Sequence, residues 1–126
     1  MTIDSFIKIS IFLAVTALAL GALGAHSLKD ILSESQYHSF ETGVRYQLFH
    51  AITLLLLALN CDKLNQHLKK SLILMSTGSC LFSFSIYLLS MQNILGISLS
   101  FLGPITPIGG LLLIASWIVL FFSIKK

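Results

Sequence analysis

Four side chains that could take part in binding or catalysis lie in the first half of the chain: His26, Glu41, Arg45 and His50. Glu41 precedes Arg45 by four residues, the favourable order for an ion pair on one helix. Tyr46 precedes His50 by the same spacing, so these two side chains share a helical face. Such a set could tie helices together, bind an anionic ligand through arginine, or pass protons between the histidines. The sequence leaves all three roles open.

No spacing in the sequence marks a reaction centre. The chain has no phosphate-binding loop, no zinc-protease helix and no nucleophile at a diagnostic distance from a base. Cys61 and Cys80 form no CxxC pair and no histidine cluster with zinc spacing, which predicts two free thiols. We therefore expect no catalytic residues, no metal and no cofactor. The question of an enzyme stays open, with the evidence favouring a protein that is not one.

The composition is that of a membrane protein. Of the 126 residues, 56% are hydrophobic and 10% are charged, whereas soluble domains are about 25% charged. One core of this size cannot bury so much apolar surface, so lipid must cover the remainder. The net charge of +3 comes from dispersed basic residues, which make no stripe for nucleic acid. We expect one transmembrane domain over residues 1–126, with membrane lipid as its partner and no nucleic acid.

Windows without charged residues mark the spans. Asp, Glu, Lys and Arg are absent from residues 9–28, 46–61 and 71–124, and a spanning helix needs about 20 apolar residues. The last window is long enough for two helices. The second helix begins before its window, because Ser33 and Gln36 have the form of a capping box. These patterns predict an all-α, integral membrane four-helix bundle with helices at about 5–25, 35–60, 71–91 and 107–124.

Basic residues are divided unequally between the two sides of the predicted membrane domain. The N-terminus, the segment 61–70 and the C-terminus share one side, with six lysines, and the other side has two basic residues. The first set is Lys8, Lys63, Lys69, Lys70, Lys125 and Lys126, and the second is Lys29 and Arg45. Because cytoplasmic loops are enriched in Lys and Arg, both termini are predicted to lie in the cytoplasm.

Small and hydroxyl side chains predict the packing faces of two helices. Membrane helices associate through such residues, which let backbones approach closely. Helix 1 has a small residue at every fourth position, and helix 3 has a stripe rich in serine. The predicted packing residues are Ala17, Gly21, Ala25, Ser76, Ser79 and Ser83.

Helix 4 has a recognisable start. Thr106 suits an N-cap, and Pro107 suits the first helical position. Gly109 and Gly110 follow, where a neighbouring helix could approach. The free N–H groups of this first turn would make a weak anion site.

The polar residues of helix 2 are predicted to point inward. His38, Glu41, Thr42, Arg45, Tyr46 and Thr53 share one helical face. Ionisable groups at membrane depth usually face the bundle interior or water, so we expect this face to lie against helix 1 or 3, with His26 near His50. For a small amphipathic or anionic ligand, the candidate binding residues are His26, Glu41, Arg45, Tyr46, His50, Thr106, Gly109 and Gly110.

Four motifs in order carry a family resemblance across nearly the whole chain. They are GALGAH at 21–26, TGVRYQLFHA at 42–51, LFSFSIY at 81–87 and LGPITPIGG at 102–110, with Phe40 before the second and Trp117 after the last. The chain thereby resembles the YgdD/YwdK family of small bacterial inner-membrane proteins, which has animal relatives. The resemblance implies four spans, an uncleaved first helix and the bacterial inner membrane. It implies no activity, because that family is itself a domain of unknown function.

Two positions depart from the family pattern. Phe84 stands where a glycine is expected, and Arg45 where an uncharged or acidic residue is common. The second departure argues against a shared mechanism that depends on Arg45. It favours the two histidines and the Pro-x-Gly-Gly turn as carriers of any shared role.

These observations favour a non-enzymatic binding or accessory protein of the membrane, with its polar cluster near the outer interface. Assembly into a homo-oligomer is compatible with this interpretation. The alternative is a small proton-linked transporter or channel that uses His26 and His50. Such a path would need polar groups toward the inner side, where helix 4 offers only Ser116 and Ser123.

The division of basic residues makes a prediction about orientation. In intact cells, Cys61 should resist a membrane-impermeant thiol reagent because it lies in the cytoplasm, and a cysteine introduced by Asn93→Cys should react. Labelling is read as a mass shift, and permeabilised cells, in which both sites should react, are the control. Reaction of Cys61 in intact cells, with Asn93→Cys silent, would invert the topology.

Overall fold

A computed structural model describes residues 1–125. It contains four long helices, α1 (Ile3–Leu23), α2 (Glu34–Leu59), α3 (Leu68–Leu95) and α4 (Ile105–Phe121). A π-helical turn, Gly24–Leu28, extends α1, and short 3-10 turns lie at Cys61–Lys63 and Ser100–Leu102. All four helical segments are long and apolar enough to cross a membrane. The predicted all-α fold with four spans is confirmed.

The helix boundaries differ from the predicted ones by a few residues. The capping box before α2 is present: Ser33 Oγ accepts the Gln36 N–H at 3.2 Å, and Gln36 Oε1 accepts the Ser33 N–H at 3.1 Å. α3 is longer than predicted at both ends, because Lys and amide side chains extend into the membrane interface without breaking a helix. α4 ends early, since the following backbone pairs with the α2–α3 loop, where the Asn65 N–H donates to the Ser123 carbonyl at 2.8 Å.

Thr106 does not cap α4. Pro104 occupies the N-cap position, with a φ of −69° that leads directly into the helix. Thr106 lies inside the first turn, and its hydroxyl is 2.6 Å from Ser85 Oγ of α3. The predicted cap is therefore wrong, because the Gly103-Pro104 turn starts the helix two residues before the position that the sequence suggested.

Each helix packs against its neighbours in sequence, α1 on α2, α2 on α3 and α3 on α4. Since the helices alternate in direction, α2 and α4 run parallel on either side of α3. Over the described residues, α1 and α4 do not pack along each other. The bundle is therefore open, and a seam runs between α2 and α4 with α3 beneath it.

Glycines set the distance between α3 and α4. A Cβ added to Gly109 would lie 2.4 Å from the Phe82 backbone nitrogen, and one added to Gly78 would lie 2.9 Å from the Leu113 nitrogen. Neither position has room for a side chain. At Gly110 the nearest atom to an added Cβ is a ring carbon of Phe82 at 3.7 Å, an ordinary contact. The close crossing fixes Phe82 beneath the seam.

The small-residue face of α1 differs from the predicted one at its C-terminal end. Ala17 is fully buried and Gly21 approaches α2, but Ala25 is exposed. A spacing of four residues turns a helix by about 40° beyond a full turn at each step, so Ala25 has rotated away. Gly24 occupies the contact instead, where an added Cβ would lie 2.9 Å from the Phe40 ring.

The serines of α3 are buried. Ser83 Oγ donates to the Gly43 carbonyl of α2 at 2.9 Å, and Ser76 Oγ donates to the Leu72 carbonyl of its own helix at 2.7 Å. Ser79 Oγ has no partner among residues 1–125. The hydroxyl-rich stripe therefore lies at helix contacts, and only part of it hydrogen-bonds between helices.

Candidate functional site

The innermost polar group is Gln47, which sequence reasoning did not single out. Its side chain is fully buried. Gln47 Nε2 donates to the Leu13 carbonyl at 2.8 Å and to Thr16 Oγ1 at 2.6 Å. Gln47 Oε1 accepts the Tyr87 hydroxyl at 2.6 Å. One amide thus joins α1, α2 and α3, which matters in lipid because no water is present to satisfy a buried polar group.

Gln47 was not among the predicted site residues because the spans were located by the absence of charged residues, and an amide carries no charge. A signal was nevertheless present. Gln47 is the only amide in the apolar window before Asn60, and an amide at membrane depth requires hydrogen-bond partners from other helices. Tyr87 on the hydroxyl-rich stripe of α3 was the natural candidate for one of them.

His50 is buried and joins α2 to α4. The Trp117 Nε1–H donates to His50 Nε2 at 3.2 Å, and His50 Nδ1 lies 2.7 Å from the Tyr46 carbonyl oxygen. An indole N–H can only donate, so Nε2 is the acceptor and Nδ1 carries the hydrogen. Both ring nitrogens are occupied in a neutral imidazole, and this arrangement gives His50 a structural role.

The two histidines do not meet, contrary to expectation. His26 is exposed on the π-helical turn at the end of α1. That turn packs near Phe40, ten residues and roughly 15 Å of helix before His50. His50 faces α4 rather than α1, because Gln47 takes the side of α2 toward α1 and a residue three positions later is rotated away from it.

Glu41 and Arg45 do not form the predicted ion pair. Glu41 Oε2 lies 3.6 Å from His38 Nδ1, and His38 Nε2 lies 3.8 Å from Glu34 Oε1. His38, which lies one turn before Glu41, thus competes with Arg45 for the Glu41 carboxylate. These side chains are largely exposed, so the cluster contributes little to stability. Within residues 1–125, Arg45 has no carboxylate at ion-pair distance.

The predicted inward face of α2 is largely exposed instead. His38, Arg45 and Tyr46 are exposed rather than buried against α1 or α3. Gln47 is the cause, because its hydrogen bonds to α1 and α3 hold the other side of α2 against both helices.

A groove of about 610 Å³ occupies the seam. α3 forms its floor through Phe82, and α2 and α4 form its walls. Tyr46 packs 5.2 Å from Phe82, and Phe49 lies 6.2 Å from Trp117, measured between ring centroids. This volume falls within the range of about 300–1,000 Å³ that is usual for small-molecule sites. The lining residues are Arg45, Tyr46, Phe49, His50, Phe82, Gly110, Leu113, Ile114 and Trp117.

The groove unites only part of the candidate ligand-binding set. Arg45, Tyr46, His50 and Gly110 line it together. Thr106 lies one turn nearer the start of α4, and Gly109 lies in the crossing with α3, where it has no free space. Glu41 lies in a second cavity, a cleft of about 230 Å³ between α1 and α2 that Arg45 also lines, and His26 lines neither cavity. The groove is therefore largely apolar, with one cationic side chain, Arg45, at one end.

Comparison with known proteins agrees with this architecture. Residues 20–110 match the family model described as "Protein of unknown function (DUF423)". The chain belongs to the DUF423 family. It is 37% identical to the UPF0382 membrane protein YwdK of Bacillus subtilis over 123 residues, which cover 96% of each chain.

Two further relatives are similar over most of their length. The UPF0382 membrane protein SH2409 of Staphylococcus haemolyticus is 33% identical over 96% of this chain and 95% of its own. The UPF0382 inner membrane protein YgdD of Escherichia coli is 33% identical over 89% of this chain and 80% of its own. No solved structure matches the chain. The resemblance to the YgdD/YwdK family is confirmed, and with it the assignment as a membrane protein of unknown function.

The Gln47 hydrogen bonds make a prediction about stability. Gln47→Leu should lower the free energy of unfolding in detergent by about 1–3 kcal/mol, since it leaves polar groups of α1 and α3 unpaired in a buried place. Tyr87→Phe should cost less, and the double variant should lose less than the sum of the two.

Thr53→Val is the control, because the Thr53 hydroxyl donates only to the Phe49 carbonyl of its own helix. Unfolding is followed by circular dichroism during titration with a denaturing detergent. If Gln47→Leu has the same free energy of unfolding as the unchanged protein, the amide does not hold the helices together.

Proposed function

We propose that this DUF423 protein is a non-enzymatic membrane protein that binds an anionic phospholipid from the side. One acyl chain lies in the groove between α2 and α4, and the lipid phosphate lies at Arg45. The observation that carries this proposal is the combination of a largely apolar groove with a single unpaired cation at its end.

The rim of the groove faces the lipid phase. Phe49, Ile114 and Trp117 line it and are 56%, 58% and 41% exposed. A groove with such a rim can exchange its contents with the bilayer without a path through water. Its floor and walls are mainly aromatic and aliphatic, which suits a hydrocarbon chain better than a soluble metabolite.

We infer that Arg45 lies near the depth of the lipid phosphates. It neighbours Tyr46, which packs on Phe82, and Phe82 contacts Gly110. Gly110 is five residues from the start of α4, or roughly 7 Å along the helix. From there the long arginine side chain reaches the interface. Its guanidinium can then form paired hydrogen bonds with a phosphate.

The alternative of proton transfer between His26 and His50 has no geometric support. His26 is exposed near the outer end of α1, and both ring nitrogens of His50 are already hydrogen-bonded. We also infer from the lysine distribution that both termini are cytoplasmic, which directs the Arg45 end of the groove toward the outer leaflet.

Trp117 is the only tryptophan of the chain and lines the groove, so its fluorescence reports occupancy. In phosphatidylcholine bilayers, a phospholipid with brominated acyl chains should quench Trp117 more when its head group is anionic than when it is zwitterionic. The expected preference is about fivefold in relative affinity, because one interfacial cation contributes about 1 kcal/mol. Arg45→Gln should abolish this preference, and Lys29→Gln, which removes the other outer cation, should retain it.

A second pair of variants tests the groove itself. Gly110→Leu should fill the groove and reduce the preferential quenching, because position 110 has room for a side chain. Ala19→Leu introduces the same side chain at an exposed position of α1 and should change nothing. Equal quenching by anionic and zwitterionic lipids in the unchanged protein would refute the proposed function.

A further inference from the structure

A second cavity lies on the same seam, outward of the groove. It has a volume of about 400 Å³ and receives Ser35 and Ser39 from α2, Ser90 from α3 and Thr106 from α4. Ser39 and Tyr46 are seven residues apart on α2, and Thr106 and Gly110 are four apart on α4. Both spacings keep residues on one helical face. This cavity, the outer crevice, therefore follows the groove along the seam.

The outer crevice is lined by both polar and apolar side chains, and none of its lining residues in the part of the chain that the structure describes is charged. Besides the four hydroxyl residues, the amide of Gln36 is its only other polar side chain, and no Lys, Arg, Asp or Glu lines it. α2 and α4 both begin beside it, and the first turn of a helix carries partial positive charge. Glu34 in the first turn of α2 is exposed and does not line the crevice, so an ammonium head group in the crevice would meet this potential without a carboxylate in contact with it, whereas hydroxyl groups would find both donors and acceptors.

Ser90 points to a ligand in the crevice. It is only 4% exposed and lines the crevice. Among the other buried serines of α3, Ser71 donates to the Ser116 carbonyl at 2.8 Å and Ser83 to the Gly43 carbonyl at 2.9 Å, whereas Ser79 Oγ is enclosed by protein without a partner. The Ser90 hydroxyl donates to no group of residues 1–125 and, unlike that of Ser79, is not enclosed, so it is open to the crevice. A ligand hydroxyl in the crevice would supply the missing bond.

We propose that the seam selects a phospholipid whose head group bears free hydroxyls, of the phosphatidylglycerol type. Resting on the proposed function, this assignment places the phosphate at Arg45 and the head-group hydroxyls in the outer crevice, hydrogen-bonded to Ser90 and Ser39. Arg45 then selects for the phosphate charge, and the crevice selects among anionic lipids by their hydroxyl groups.

Phosphatidic acid provides the discriminating comparison. It has the same acyl chains and phosphate but no head-group hydroxyls, and its phosphate carries at least as much negative charge near neutral pH. Charge alone therefore predicts that it binds at least as well as phosphatidylglycerol. We expect the opposite: brominated phosphatidylglycerol should show an affinity about three- to tenfold higher by Trp117 quenching, which corresponds to one or two net hydrogen bonds.

Ser90→Ala should remove the advantage of phosphatidylglycerol over phosphatidic acid and leave the advantage of both over phosphatidylcholine. Ser76→Ala is the matched control, since Ser76 is a buried serine of the same helix that donates to its own backbone and lies outside the crevice. Ser39→Ala replaces Ser90→Ala as the test variant if the latter fails to fold.

The possible results separate the two proposals. Equal binding of phosphatidylglycerol and phosphatidic acid, with both above phosphatidylcholine, would overturn the head-group assignment and leave the anionic lipid site standing. Tighter binding of phosphatidic acid would do the same. An advantage of phosphatidylglycerol that survives both serine substitutions would also overturn the assignment. If neither anionic lipid exceeds phosphatidylcholine, the proposed function fails, and the head-group assignment fails with it.

Discussion

The arrangement of the helices depends on one amide that cannot be hydrated. Gln47 lies in the middle of a helix that crosses lipid, and its hydrogen bonds reach α1 and α3 at the same time. Turning α2 about its axis would break at least two of these bonds in a medium that offers no replacement. The rotation of α2 is therefore fixed. The same rotation turns the face that carries Tyr46, Phe49 and His50 toward α4.

α4 is held in a different way. Its contact with α3 depends on backbone proximity at Gly78 and Gly109 and on serine hydroxyls, such as that of Ser71, which donates to the Ser116 carbonyl. Toward α2, the hydrogen bond between His50 and Trp117 is the only side-chain hydrogen bond within the described residues. α4 is thus anchored along one side and nearly free along the other. An open seam with an aromatic lining follows from this asymmetry, and the proposed lipid site follows from the seam.

The helices could be predicted from the sequence because lipid imposes simple rules. Charge-free windows locate the spans, and the Ser33–Gln36 capping box locates the start of α2. The positions of individual side chains could not be predicted as well. His50 was expected beside α1 and lies beside α4 instead, because helical periodicity tells which residues share a face but not which neighbour that face meets. The hydrogen bonds of Gln47 determine which neighbour each face of α2 meets. Because the amide is uncharged, a prediction based on the positions of charged residues does not identify it.

The same distinction applies to the site. Arg45 and Tyr46 could be named from the sequence, since polar residues at membrane depth are few. Their shared cavity could not be, because Phe82 and Trp117 come from distant parts of the chain and resemble ordinary apolar residues of membrane helices. The outer crevice was equally hidden. Its hydroxyl residues belong to three helices, and only the packing of α3 between α2 and α4 brings them together.

The most direct test of the lipid site is native mass spectrometry of the chain extracted from its own membrane. At collision energies that strip loosely bound lipid, we expect the chain to retain the mass of one anionic phospholipid and a Gly110→Leu chain to lose it under the same conditions. A chain without bound lipid, or equal retention by the unchanged and Gly110→Leu proteins, would contradict a lipid site in the groove.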